Sequence, residues 1–105
     1  MIITYSMVSQ DYAVGGLEVG GIDFKYEIGI DVDQDDKIDM LVNVESDDGI
    51  TKMDLSERWS TGKSIYNAES EDVFAENFNE AEKRVIFRIK SLLSSYPARS
   101  SDISG

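Results

Sequence analysis

The segment IDFKYEIGID, residues 22–31, alternates between apolar and polar side chains and decides the fold. Its apolar positions are Ile22, Phe24, Tyr26, Ile28 and Ile30. Because successive side chains of a β-strand point to opposite faces, this alternation predicts a strand with one buried face and one face in water. Such strands are typical of an antiparallel sheet that is covered on one side only.

The residues that follow predict the second strand of a hairpin. Residues 38–45 alternate in the same way, except that Leu41 falls on the polar face. The polar stretch between the two segments, residues 31–37, has the composition of a turn, so we expect the two strands to pair antiparallel.

Further strands are predicted before and after this hairpin. Asp48-Gly49 favours a tight turn into a strand near residues 50–55. The β-branched and aromatic residues 2–8 predict a strand at the start of the chain. The glycine pairs within residues 15–21 predict a flexible connection or a short bulged strand.

The last third of the chain changes to the period of a helix. Apolar residues recur at steps of three and four from Phe74 to Tyr96, which predicts an amphipathic helix over about 70–96 that ends before Pro97. At 1.5 Å per residue such a helix is ~38 Å long, more than an ordinary strand of ~17–20 Å. We therefore expect part of the helix to extend beyond the sheet and either to bend or to contact another subunit. Phe87 lies outside the main apolar stripe, which supports such a second contact.

These elements predict an α+β fold, in which an antiparallel meander of about four strands packs against one long C-terminal helix. One domain is expected over residues 1–96, with strands in about 1–56, a loop at 57–69 and the helix at about 70–96. Residues 97–105 are expected to form a flexible tail.

Composition excludes several classes of protein. The 105 residues include 21 acids and 10 bases, for a net charge of −11, which disfavours direct binding to nucleic acid or to anionic lipid. No apolar stretch is long enough to cross a membrane. Cysteine and histidine are absent, so thiolate chemistry and the commonest general base are missing. The missing cysteine and the lack of a signal-peptide pattern predict a cytoplasmic protein.

One acidic stretch resembles a calcium loop of the EF-hand type. Its acids at alternating positions are Asp31, Asp33, Asp35 and Asp39. Asp36 replaces the glycine that the sharp turn needs, and Val42 replaces the bidentate glutamate. We therefore interpret the stretch as a hairpin turn without a metal, and we expect no cofactor.

Sequence motifs give no support for catalysis. Ser60-Thr61-Gly62-Lys63-Ser64 contains Gly-Lys-Ser but lacks the first glycine of a phosphate-binding loop. The many carboxylates form adjacent pairs through abundance alone. The sequence thus predicts a protein that is not an enzyme.

The polar face of the sheet is the candidate functional surface. Its outward acids and those of the adjoining turn are Asp23, Glu27, Asp39, Glu45, Asp47, Asp48 and Asp54. Trp59 and Tyr66 flank the expected loop and are either anchors for a partner or caps on the core. Rows of carboxylates suit Lys/Arg sites that are built for phosphates.

The sequence therefore predicts a binding protein that docks a basic, nucleic-acid-handling protein, as an inhibitor, an immunity protein or a nucleic-acid mimic. The alternative is a small oligomeric scaffold or chaperone-like protein, a homodimer through its C-terminal helix. A minor enzyme or a calcium-binding module ranks third. Another alternative is that these acids only keep the protein soluble.

Overall fold

The computed structural model describes residues 1–46 and 54–94, except for the side chains of residues 54 and 55. Along these residues the elements are β1 (Ile2–Val8), β2 (Ala13–Val19), β3 (Ile22–Val32), β4 (Lys37–Ser46), β5 (Asp54–Ser64) and α1 (Ser70–Ser94). The strands pair antiparallel in chain order. This confirms the predicted α+β meander with a single C-terminal helix, with five strands in place of about four.

The core lies between one face of the sheet and α1. The apolar positions of the alternating strands β3 and β4 are buried there, among them Phe24, Ile28 and Met40. From the helix, Phe74 and Val85 are buried in the same cluster. The apolar faces of the strands, with a period of two residues, and of the helix, with a period of 3.6 residues, therefore pack together in one apolar layer, as their patterns predict.

The expected helix overhang does not arise, because the strands beneath the helix are long. α1 has 25 residues and β3 has 11, which correspond to ~37 Å and ~36 Å. The helix runs over β3, β4 and β5. Its apolar stripe is therefore used against the sheet of its own chain.

Of the two alternatives that the glycines predict, a flexible connection or a short strand, the structure has a strand, β2. A Cβ atom at Gly15 would stand 2.4 Å from the ring of Tyr26, so the glycine makes room for a core side chain. Only the second pair, Gly20 and Gly21, forms a turn, with φ angles of 61° and 79° between β2 and β3. Positive φ at both positions is the requirement of a type I′ turn.

The loop predicted over residues 57–69 is wrong in its first part, because β5 continues to Ser64. Glu57 faces inward, at a position where an apolar residue would be expected. The charged residue interrupts the alternation of apolar and polar residues, so the sequence pattern does not show that β5 continues. Two arginines of α1 bind this carboxylate, so the inward charge is paired.

Several predictions fall outside the described residues. They are the turn at Asp48-Gly49, residues 50–53 of the strand predicted near 50–55, the last helical residues 95–96 and the tail at 97–105. Within the described residues, no helix is both long enough and apolar enough to span a lipid bilayer.

Candidate functional site

The face of the sheet opposite α1, here called the outer face, carries the polar side chains of the alternating strands. Asp23 and Glu27 of β3 and Glu45 of β4 are exposed on it. Lys25 lies between the two β3 acids and directly opposite Glu45. Because α1 packs on the other side, no element among the described residues covers this face.

Negative charge is concentrated where the outer face approaches the β2–β3 turn. Glu18 lies directly opposite Asp23 in the register of β2 with β3. At the same end of the sheet, Asp54 is the register partner of Glu45. Like charges directly opposite each other destabilise a sheet, so the fold retains the Glu18–Asp23 pair at some cost to stability.

Two tyrosines lie on the outer face beside these carboxylates. A Cβ atom at Gly16 would stand 2.5 Å from the Tyr5 ring, and one at Gly29 would stand 3.7 Å from the Tyr12 ring. Tyr5 is 44% exposed and Tyr12 is 43% exposed. Partial loss of hydration raises the pKa of the Tyr12 hydroxyl, and nearby Glu27 raises it further.

Asp39 differs from the exposed acid that the sequence predicts, because it is only 6% exposed. Arg58 of β5 donates from Nε to Asp39 Oδ2 at 2.6 Å and from Nη1 to Asp31 Oδ2 at 3.1 Å. The guanidinium therefore links two acids that lie directly opposite each other on β3 and β4. Asp39 is a buried structural residue and is unavailable to a partner.

The stretch that resembles a calcium loop is divided between two hydrogen-bonding groups. Asp31 and Asp39 bind Arg58 as described. Asp33 Oδ1 accepts the backbone N–H groups of Asp35 at 2.8 Å and Lys37 at 3.0 Å, as in an Asx turn. Among the described residues, no three carboxylates are grouped so that they could hold a metal ion.

Tyr66 lies at the opposite end of the sheet from the acidic pairs. Its hydroxyl donates to Asp36 Oδ2 at 3.2 Å, and its side chain is 76% exposed. The β3–β4 turn that holds Asp36 thus positions this ring away from Asp23. Asp47 and Asp48 lie outside the described residues.

Trp59 lies on the helix side of the sheet, where it packs against the core. The guanidinium carbon of Arg84 stands 4.0 Å from the centroid of its ring, a cation–π contact. Of the two interpretations of Trp59, the structure therefore favours the cap on the core.

Glu57 forms an ion-pair cluster with the helix beside Trp59. Arg84 Nη1 lies 2.6 Å from Oε1, and Arg88 Nε lies 3.0 Å from Oε2. The hydrogen bond from Arg88 lowers the pKa of Glu57, and the bond from Arg84 adds to this against the opposing effect of burial.

This lowered pKa predicts a pH-dependent contribution to stability. Because the folded-state value lies below the ordinary value of 4.5, the contribution is present above that value and is lost as the pH falls through the folded pKa. We expect Glu57→Gln to lose about 1 kcal/mol at neutral pH, since the arginines are partly exposed. Urea unfolding at neutral and acidic pH measures this, with exposed Glu76→Gln as control. A loss that is independent of pH would contradict the assignment.

Sequence reasoning missed Glu18, Tyr5 and Tyr12 as members of the outer face. Glu18 follows once β2 is recognised as a strand, because it alternates with Leu17. The tyrosines have a weaker signal, since a ring over a glycine requires knowledge of the register between strands. That the rings of Tyr5 and Tyr12 lie over Gly16 and Gly29 becomes evident only in the folded sheet.

Comparison of the chain with family models, with curated proteins and with solved structures finds no match.

Proposed function

We propose that this protein is a non-enzymatic binding protein whose outer face docks the basic surface of another protein. The observation that carries the proposal is a sheet face that no described element covers, on which exposed Asp23, Glu27 and Glu45 lie beside the half-exposed rings of Tyr5 and Tyr12. Carboxylates pair with lysine and arginine, and tyrosine rings accept the same cations on their faces.

The geometry suits an extended basic groove better than a single deep pocket. Outward positions recur every ~6.6 Å along a strand, and neighbouring strands add rows at ~4.8 Å. This regular spacing supports a partner whose Lys/Arg sites are built for phosphates, and hence a nucleic-acid-handling protein. The absence of histidine and cysteine from the sequence agrees with a role in binding without chemistry.

Charge reversal on the outer face tests the proposal. The variant Asp23→Lys/Glu27→Lys/Glu45→Lys replaces three exposed acids, and Asp39 is left intact because it is buried. We expect folding to be nearly unchanged, since exposed substitutions cost within about 0.5 kcal/mol each. Binding to an arginine-rich synthetic peptide, measured by calorimetry, should fall at least about tenfold, as expected when several ion pairs are lost.

A matched control separates the surface from the overall charge. The variant Asp35→Lys/Glu71→Lys/Glu76→Lys also changes three exposed acids, and either triple raises the net charge from −11 to −5. The control should keep most of the peptide affinity. The same pair of variants is then used as bait in an extract of the source organism, with washes at rising salt. Equal loss in both triples would show that the acids act through net charge and serve solubility.

A further inference from the structure

Strand β1 is the most exposed apolar element among the described residues. Every residue from Ile2 to Val8 is exposed, and the strand contains no charged side chain. Ile3 and Met7 are each 67% exposed, and Ile2 is 58% exposed. A contiguous apolar patch of this kind marks an interaction surface more often than a chance exposure.

β1 is also an edge strand, and none of the described residues gives it the usual protection. Natural sheets block their edges with charges, proline or a covering element. The opposite edge, β5, follows this rule, because Glu57, Arg58 and Lys63 lie along it and helix arginines bind Glu57. The contrast between the two edges of one sheet shows that the exposure of β1 is specific to that edge.

The helix leaves the inner side of β1 uncovered as well. α1 lies over β3, β4 and β5, so a shallow cleft remains between the helix and β1. Its lining is mostly apolar, with Ile3, Leu17, Val85 and Ile86, and includes one acid, Glu82. Together with Met7 on the outer face, the strand therefore presents apolar side chains on both sides of its open edge.

We propose that β1 is a self-association surface, along which the β1 strand of a second copy pairs antiparallel to form one continuous sheet through a two-fold axis. The lack of charged side chains on β1 favours a second copy as the occupant. Two copies that each carry a net charge of −11 repel each other across their acidic faces. Pairing along β1 places no like charges of the two strands opposite each other. An antiparallel pair of identical strands is self-complementary, as a two-fold interface requires.

The available area sets the strength of this association. Six exposed apolar side chains lie on or next to the strand: Met1, Ile2, Ile3, Tyr5, Met7 and Val8. If each of these side chains buries on the order of 100 Å², a dimer of two copies buries ~1,200 Å² in total. That value is at the lower limit for stable interfaces, so the dimer forms reversibly and its population rises with protein concentration.

Salt distinguishes this interface from the proposed basic partner. Raising salt from about 0.1 M to about 1 M shortens the screening length from ~10 Å to ~3 Å, which weakens the repulsion between two acidic copies. The dimer is therefore strengthened by salt, whereas docking of a basic protein to the outer face is weakened. The failure of either proposal leaves the other standing.

Sedimentation velocity over a concentration series at both salt levels tests the proposal. We expect a monomer–dimer equilibrium that shifts to dimer at high salt, and at least a tenfold weaker association in Met7→Glu. Val32→Glu and Phe87→Glu are matched controls, because both residues are exposed apolar positions outside β1. A wild-type protein that stays monomeric overturns the proposal, even if β1 pairs with a strand of a different protein. A dimer that Phe87→Glu abolishes and Met7→Glu preserves also overturns it and assigns the interface to the helix.

Single cysteines locate the contact directly, because the natural chain has none. Residues opposite each other in an antiparallel pair have Cα atoms ~4.5–5.5 Å apart, within disulfide reach. Under mild oxidation, at least one of Tyr5→Cys, Ser6→Cys and Met7→Cys should form a covalent dimer. Ser56→Cys on β5 is the control and should remain monomeric. Equal cross-linking of all four variants would indicate random collision and contradict the pairing.

Discussion

Replacing Phe74 by alanine is expected to destabilise the protein by about 3–5 kcal/mol, the usual cost of removing a buried aromatic ring. Phe74 is 2% exposed, and its ring lies 5.6 Å from that of Phe78 between the helix and the sheet. The loss is a large fraction of the ~5–15 kcal/mol that holds a typical domain together. Thermal unfolding should show Tm lower by more than about 10 °C.

Two other phenylalanines of the same helix are the controls. Phe78 is half-buried, so Phe78→Ala should cost less than Phe74→Ala. Phe87 is 62% exposed, and Phe87→Ala should change the free energy of unfolding by about 0.5 kcal/mol or less. An unchanged Tm in Phe74→Ala would contradict the assigned packing of helix on sheet.

Replacing Arg58 by methionine should have the second-largest effect, a loss of stability greater than that of Glu57→Gln. The methionine keeps the aliphatic stem of the side chain but removes the donor at 2.6 Å from Asp39 Oδ2. Asp39 is nearly buried, and its Oδ1 has no hydrogen-bond partner among the described residues. Without the guanidinium, a buried carboxylate therefore loses its counter-charge and its remaining bond.

A double variant checks this explanation by chemical denaturation. Arg58→Met/Asp39→Asn removes both charges and should regain more than half of the lost stability, since no unpaired ion remains in the sheet. Arg88→Met is a matched control on the helix, because Glu57 keeps its bond to Arg84. If the double variant is no more stable than Arg58→Met, the loss comes from packing and not from the charge of Asp39.

The sequence predicts well where burial follows a simple period. Residues 22–31 and 38–45 alternate, and α1 carries its apolar stripe, because each of these elements buries one face against a purely apolar layer. The carboxylates of Asp23 and Glu27, which alternate with the core residues of β3, are exposed for the same reason.

The prediction fails where an element meets its neighbours through something other than an apolar face. In β2 the buried side of Gly15 is filled by the ring of Tyr26, so the sequence left a strand and a flexible connection as alternatives. In β5 the inward Glu57 binds two arginines of the helix. Neither feature has a period that the local sequence could show.

The sequence by itself determined the class of fold, the order of its principal elements and the alternation of charge on β3, because these depend on local periodicity and composition. Only the tertiary structure decided that Asp39 is buried beneath Arg58, that Tyr5 and Tyr12 lie over glycines on the outer face, and that β1 is an uncovered edge. The physical reason is that a side chain's surroundings depend on the register between strands and on the position of the helix. Both are set by contacts between residues far apart in the chain.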